Sequence, residues 1–580
     1  MTDTIKKAPS ADKAVRLYRQ RKEILKLSSE KALDSILSCA NPTELIRSFP
    51  EQDFYFMIHD IGLEDCLPLL SLASDQQWEF IVDIEAWQRD KMEIKSLSKW
   101  LNQLLHADSK RFIKWFLAEK TEFIELYLLK NIHVIIREHD QDPSDFDDDY
   151  ITLDGTYYIK VQDAEFDSDM DKEAEESRQS FLKHFIEQLA AYDHVTYQNV
   201  LTEFASVLSA EAEEESYRFR NIRLAEKGFL PFEEAIGVYQ PVSPAEVGTM
   251  GKKLLSHPRQ DYRSAVAQYP ANLLNRDNLF TTALSCIDNE DILIQLQSEF
   301  AGLCNQIISA DLRPIRYREQ LSAIVKKAGG YISIGLEQLT GQPGTPDTSR
   351  IASLIRTWPL IQIFRIGYGA ALKLKWKTER WRKGCWFLKQ GLPIAFWGEE
   401  WMGVLGGLFV KKPLYFDNYR TGTVYREFSS TADIAATEQI LNHIIAFDEL
   451  FSKMPVLNHH PAHKGFLTFK SLLLTIWARS EEGLSEELAP IPFDTFKRFY
   501  SRLFTGKANS DAAETRRTSL RIKESLLHWL SDKTGLTIDE ISEKVGPILE
   551  TLFDEIETEY GRVSEKDLDA RYSSMFLVKK

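Results

Sequence analysis

Glycine and proline are scarce, at 27 and 21 of 580 residues. Both fall below ordinary usage, which disfavours all-β folds that need a tight turn after nearly every strand. Cysteine is scarcer still. The five thiols at 39, 66, 286, 304 and 385 form no C-x-x-C pair and are odd in number. Neither a zinc site nor a disulfide framework is therefore expected, and isolated thiols in a reducing cytosol are. Long uncharged apolar runs are also missing. The most membrane-like stretch, 392–410, carries Glu399, Glu400 and four glycines, so placing it across a bilayer would be costly. Met1 to Ser10 lacks the apolar core of a signal peptide. The expectation is a cytoplasmic protein with no integral membrane part.

The usual catalytic fingerprints are missing as well. Gly248-Thr249-Met250-Gly251-Lys252 looks like the tail of a phosphate loop, but Glu246 stands where the first glycine belongs and Lys253 where Ser or Thr should follow. Gly403-Val404-Leu405-Gly406-Gly407 lacks the G-x-G-x-x-G order of a dinucleotide turn. There is no G-x-S-x-G elbow and no H-E-x-x-H pair. Nothing marks the chain as an enzyme, and no cofactor is indicated.

What is present is apolar and aromatic mass: 43% hydrophobic residues, with 33 Phe, 21 Tyr and 12 Trp. Such a chain can bury large cores, and its length exceeds what one core holds. The patterning predicts a mainly α, multi-helical array: a degenerate α-solenoid-like N-terminal part, a small β-hairpin insertion and an irregular Gly/Trp-rich section. Four regions follow: a short-helix array over 1–139, an acidic linker with the hairpin over 140–176, a helical middle over 177–340, and a C-terminal helical region over 341–580.

Within the array, short helices are expected at 44–49, 52–61, 63–73, 76–87, 95–106, 110–117 and 122–130. Ser74 and Gln77 have capping-box spacing ahead of Trp78. Helices this short need neighbours to bury them. Residues 138–176 hold 16 acidic side chains against Lys160 and Lys172. Asp154-Gly155 lies between two β-prone runs, which predicts a hairpin of 150–153 with 156–161. Phe181, Phe185 and Leu189 begin a second helical block, Gly228 is placed to cap the helix containing Arg218, Arg220 and Arg223, and Pro231 to start the next. A helix over 349–383 should be broken near Pro359, with short strands at 414–416 and 423–425.

Two clusters carry the candidate chemistry. His459 and His463, with His443 one helix upstream, are the candidate metal ligands. Imidazoles bunched at a turn could hold zinc, nickel or iron, with Asp448 or Glu449 as carboxylate partner. The competing reading is a polar loop whose histidines face water. The second cluster is basic: ten Lys and Arg between 350 and 389 against Glu379 alone, with Trp376, Trp381 and Trp386 among them. Arg380, Arg382, Lys383 and Trp381 are its candidate anion- or partner-binding residues. Cations beside indoles could neutralise phosphates and stack bases. They could equally snorkel from a helix whose tryptophans are core, or dock on the acidic stretch of this chain or of another subunit in a homo-oligomer. The net charge of −16 opposes nucleic acid as the partner.

Glu213 to Tyr239 reads EEESYRFRNIRLAEKGFLPFEEAIGVY, and Leu568 to Tyr572 reads LDARY. These stretches resemble an uncharacterised bacterial domain family of unknown function, with members mostly from sulfate- and metal-reducing bacteria. That resemblance implies a bacterial cytosolic protein of similar length and assigns no residue a role. The rhythm of short helices in the first hundred residues is similar to the superhelical cytosolic domain of MgtE-type magnesium transporters. The leading functional expectation is a helical scaffold or protein-interaction protein. The alternatives are a metal-dependent protein centred on 395–465 and anionic-partner binding through 350–389.

Overall fold

The computed structural model describes residues 11–88, 90–162, 172–203, 209–249, 251–253, 270, 273–274, 278–312, 317–341, 347–454, 467–505 and 515–579. The chain divides into two compact units, 1–367 and 368–580. Both are helical, and every sheet among the described residues has only two strands.

The first unit opens with short helices, among them Pro42–Ser48, Glu51–Ile61, Leu67–Leu72, Asp75–Glu85, Ile94–Ala107, Ser109–Glu119 and Thr121–Asn131. Six to fourteen residues are too few for a helix to hold its shape alone in water, so tertiary ties do the work. Gln77 shows how. Its backbone N–H donates to Ser74 Oγ (3.2 Å) and its side-chain oxygen accepts from Ser74 N–H (2.8 Å), completing the expected capping box. The same side-chain amide donates to the carbonyls of Ile46 (2.9 Å) and Phe49 (3.0 Å), so one residue caps its own helix and fastens the end of another. Trp78, fully buried beside it, donates to Leu70 O at 2.9 Å and lies under the Arg111 guanidinium.

The β element differs from the expected local hairpin. Strand Tyr157–Val161 pairs antiparallel with Ile132–Ile136, five residues against five, while 150–153 contributes only the isolated bridge Ile151–Ile159. The Asp-Gly turn is real: Gly155 has φ +70°, and Asp154 Oδ1 accepts from Thr156 N and Tyr157 N. The sequence IHVII at 132–136 is richer in β-branched residues than YITL at 150–153, and it follows directly on helix Thr121–Asn131. The better β-former wins the ladder across the longer loop.

Further along, Lys172–Tyr192, His194–Glu203 and Ser209–Ala225 are helices, and Gly228 takes φ +85° after the third. Helix Glu290–Asp311 precedes Arg318–Thr340, and the break at Trp358-Pro359 separates Thr348–Thr357 from Leu360–Arg382. Gly335 and Gly367 let two of these helices meet backbone to backbone. A Cβ on Gly335 would stand 2.0 Å from Ile363 O, and one on Gly367 would stand 1.9 Å from Tyr331 O.

The second unit contains helices Gly398–Phe409, Thr431–Ser452, Phe469–Glu481, Phe493–Leu503, Leu520–Thr534 and Ile538–Tyr560. The Gly/Trp-rich section is thus partly helical. Its glycines are small for packing: Cβ atoms on Gly403 and Gly407 would fall 2.4 Å from the Phe416 ring and from Leu414 O. Strand Tyr415–Phe416 pairs there with Tyr425–Arg426. Arg426 then ties the loop down, bonding Asp417 Oδ1 (2.9 Å) and both carboxylate oxygens of Asp433 (2.7 and 2.8 Å).

The glycine crossing gives a direct test. Gly335→Ala should lose about 1–3 kcal/mol in chemical denaturation, because the overpacked backbone contact outweighs the gain in helix propensity. Gly302→Ala, where an added Cβ meets nothing within 4 Å, should instead gain up to about 1 kcal/mol. Equal effects at the two positions would remove the crossing as a constraint.

Candidate partner-binding face

The basic segment is sorted by the fold into cations with work to do and cations without. Arg365, in the first unit, donates through Nε (3.0 Å) and Nη2 (2.6 Å) to Gly237 O. In the second unit Lys375 bonds Val410 O at 2.7 Å and pairs with Glu379 at 3.0 Å, completing the C-terminus of helix Gly398–Phe409. Lys377 reaches Glu438 (3.2 Å) and Asn442 (2.5 Å) on helix Thr431–Ser452. Arg382 is exposed, with its guanidinium 4.8 Å from the Phe409 ring centroid.

Trp381 is half-buried and packs inward. Its ring stacks on Phe387 (centroids 5.6 Å apart, 12° between planes) and packs near Trp397, and its Nε1 donates to Asp448 Oδ2 at 3.2 Å. Trp386 is buried against Phe396 and Phe451. Sequence reasoning grouped these indoles with the cations because both recur along one stretch. The helix separates them: an indole five residues on points to a different face.

What remains is a stripe the sequence contained but did not isolate. Lys373, Trp376, Arg380 and Lys383 are spaced 3, 4 and 3 apart and are all exposed, Trp376 at 44%. Such spacing sets side chains on one helix face. Lys373, Arg380 and Lys383 have no ion-pair partner among the described residues. Three uncompensated cations thus surround one exposed indole. The signal that finds them is phase: buried Leu374 and Thr378 mark the opposite side of the helix, and Lys383 follows its last residue.

Of the candidate metal ligands, His459 and His463 lie outside the described residues. His443, on helix Thr431–Ser452, faces Trp401 with centroids 6.3 Å apart, and burial lowers its pKa. Asp448 is occupied otherwise, accepting from Trp386 N and Phe387 N (both 2.9 Å) as well as Trp381 Nε1. Burial raises its pKa against the pull of those donors. Its role is to cap helix Trp386–Lys389 and hold it against helix Thr431–Ser452. Among the described residues no group of three His, Cys, Asp or Glu gathers as a metal site would require. The phosphate-loop-like segment is also engaged: Lys253 pairs with Glu299 at 2.6 Å, and Lys252 lies over the Trp358 ring.

A family model matches residues 9–579, and its description is a family of unknown function (DUF6178). No curated protein and no solved structure matches the chain.

The two tryptophans separate by stability. Trp381→Ala should cost about 1–3 kcal/mol, as loss of a half-buried ring and its hydrogen bond. Trp376→Ala should stay within roughly 0.5 kcal/mol as a surface change. Urea denaturation followed by circular dichroism reads both, and a large loss at Trp376 would mean that its face is covered.

Proposed function

The chain belongs to that family of unknown function, which brings no activity with it, and we propose that the protein is a cytoplasmic interaction protein. In this reading it docks an acidic protein segment on the face made by Lys373, Trp376, Arg380 and Lys383. The observation that carries the reading is the stripe itself. Interfaces favour aromatic and cationic anchors of this kind, with the ring supplying buried area and the charges supplying orientation and encounter rate.

Charge counting separates an acidic polypeptide from nucleic acid. Residues 368–580 hold 30 Lys and Arg against 29 Asp and Glu, so no broad positive field surrounds the stripe. A nucleic-acid site typically neutralises about 6–10 phosphates, and three free cations fall short of that. A short acidic segment with an apolar residue to cover the indole matches both the number of charges and the ring. The five unpaired cysteines suit a reducing compartment, and no helix among the described residues is long and apolar enough to cross a membrane.

Fluorescence anisotropy with a labelled Glu/Asp-rich peptide carrying one leucine tests the face on the full chain. Charge reversal of Lys373, Arg380 and Lys383 to Glu should weaken binding about 10-fold or more, and added salt should weaken the wild type. Trp376→Ala should weaken binding at unchanged stability. Affinity that survives the triple reversal would sink the proposal, as would tighter binding of a duplex DNA of equal charge.

A further inference from the structure

A cavity of about 350 Å³ opens in the first unit between helices Glu51–Ile61, Asp75–Glu85 and Ser209–Ala225 and the loop that follows the last of these. Its walls are rings. Trp87 meets Tyr217 with centroids 5.2 Å apart, and Phe80 meets Phe229 at 6.0 Å. Tyr55 also lines it and is held rigidly from behind. The Tyr55 hydroxyl donates to Glu85 Oε1 at 2.6 Å, and the same buried carboxylate engages His59 Nε2 (3.2 Å) and Ser96 Oγ. An aromatic wall whose polar tip is fixed by a buried hydrogen bond is preorganised for a ligand.

Arg220 is the cation of this cavity. Its Nε donates to the Asp83 carbonyl (2.8 Å) and its Nη1 to Asn221 Oδ1 (2.9 Å), while its Nη2 has no partner among the described residues. The neighbouring carboxylates do not neutralise it. Asp83 binds Arg223 through two oxygens (2.8 and 2.7 Å) and Lys120 at 3.3 Å. Glu79 pairs with the same two cations, each at 3.1 Å. Both acids are thus shared by Lys120 and Arg223, and Arg220 makes no salt bridge to a carboxylate among the described residues. Burial lowers the Arg220 pKa, with Asp83 opposing, and a guanidinium remains charged at neutral pH regardless.

We propose that this cavity binds a small aromatic monocarboxylate, its ring among Phe80, Trp87, Tyr217 and Phe229 and its carboxylate on Nη2 of Arg220. Size fits the class. An apolar cavity of about 150 Å³ holds one benzene ring, so the space here takes a one- or two-ring body with its acid group. With Nε and Nη1 engaged, Nη2 remains to donate a charge-assisted hydrogen bond to a carboxylate. Charge fits too. Arg220 is the cation of the lining and the one able to meet a carboxylate, while Glu93 on the same wall works against a dianion.

Calorimetric titration of the full chain with phenylacetate and indole-3-carboxylate tests the site, with the corresponding neutral amides as controls. The acids should saturate one site and bind about 10-fold or more tighter than their amides, the worth of one charge-assisted hydrogen bond. Arg220→Met should erase that preference while leaving amide binding unchanged, and Arg220→Lys, which keeps the charge, should retain part of it. Circular dichroism of each variant reports folding. The wild-type comparison of acid with amide needs no variant at all. Failure of both acids to saturate below about 10 mM, equal binding of acid and amide, or tighter binding of phenyl phosphate than of phenylacetate would overturn the assignment.

Discussion

Asp83 is nearly inaccessible, at 3%, and still charged partners converge on it from widely separated sequence. Lys120 comes from the end of helix Ser109–Glu119, and Arg223 from 140 residues away. An isolated buried carboxylate is prohibitively costly, whereas one held by two cations and good hydrogen bonds is tolerated and fixes the elements that supply them. The carbonyl of the same residue then receives Arg220. Position 83 therefore determines where helix Ser209–Ala225 lies against the short-helix array, and with it whether the ring-lined cavity exists.

Buried acids serve as anchors in the second unit as well. Asp448 accepts two backbone N–H groups at the start of helix Trp386–Lys389 and an indole N–H, and Asp433 and Asp417 hold Arg426 over the loop. The recurring device is an acid inside one helix reaching the donors of a neighbour. It suits a fold built from short helices, whose unsatisfied ends are numerous.

Local rules made part of this legible. The Ser74–Gln77 capping box, the Pro359 break, the positive φ at Gly228 and the seven short helices all follow from residues within a few positions of one another. Long-range partners were hidden. Nothing adjacent to Tyr157–Val161 announces that Ile132–Ile136 will outcompete the closer run, and nothing near Arg223 announces Asp83. The Gly403 and Gly407 positions read as irregular backbone because a glycine that makes room for Phe416 and Leu414 looks the same in sequence as one that turns the chain. At the basic segment Trp376 and Trp381 look alike in sequence, and only helical phase together with the buried partner Asp448 tells the exposed ring from the half-buried one.

Charge is distributed in a way that gives both surfaces their meaning. Residues 1–367 hold 41 Lys and Arg against 58 Asp and Glu, and 368–580 hold 30 against 29. In a strongly acidic unit a free carboxylate ligand should be repelled at long range, yet exposed charges are screened within about 10 Å at ordinary ionic strength. What such a ligand meets inside the cavity is the local arrangement, in which Lys120 and Arg223 hold Asp83 and Glu79. Arg220 thus keeps an unbonded Nη2 inside a unit that is negative as a whole. In the near-neutral unit no broad field opposes the stripe along the end of helix Leu360–Arg382 and Lys383, and the proposed preference for acidic partners rests on its three cations. Net charge decides what the protein avoids; the pairing of individual side chains decides what it can hold.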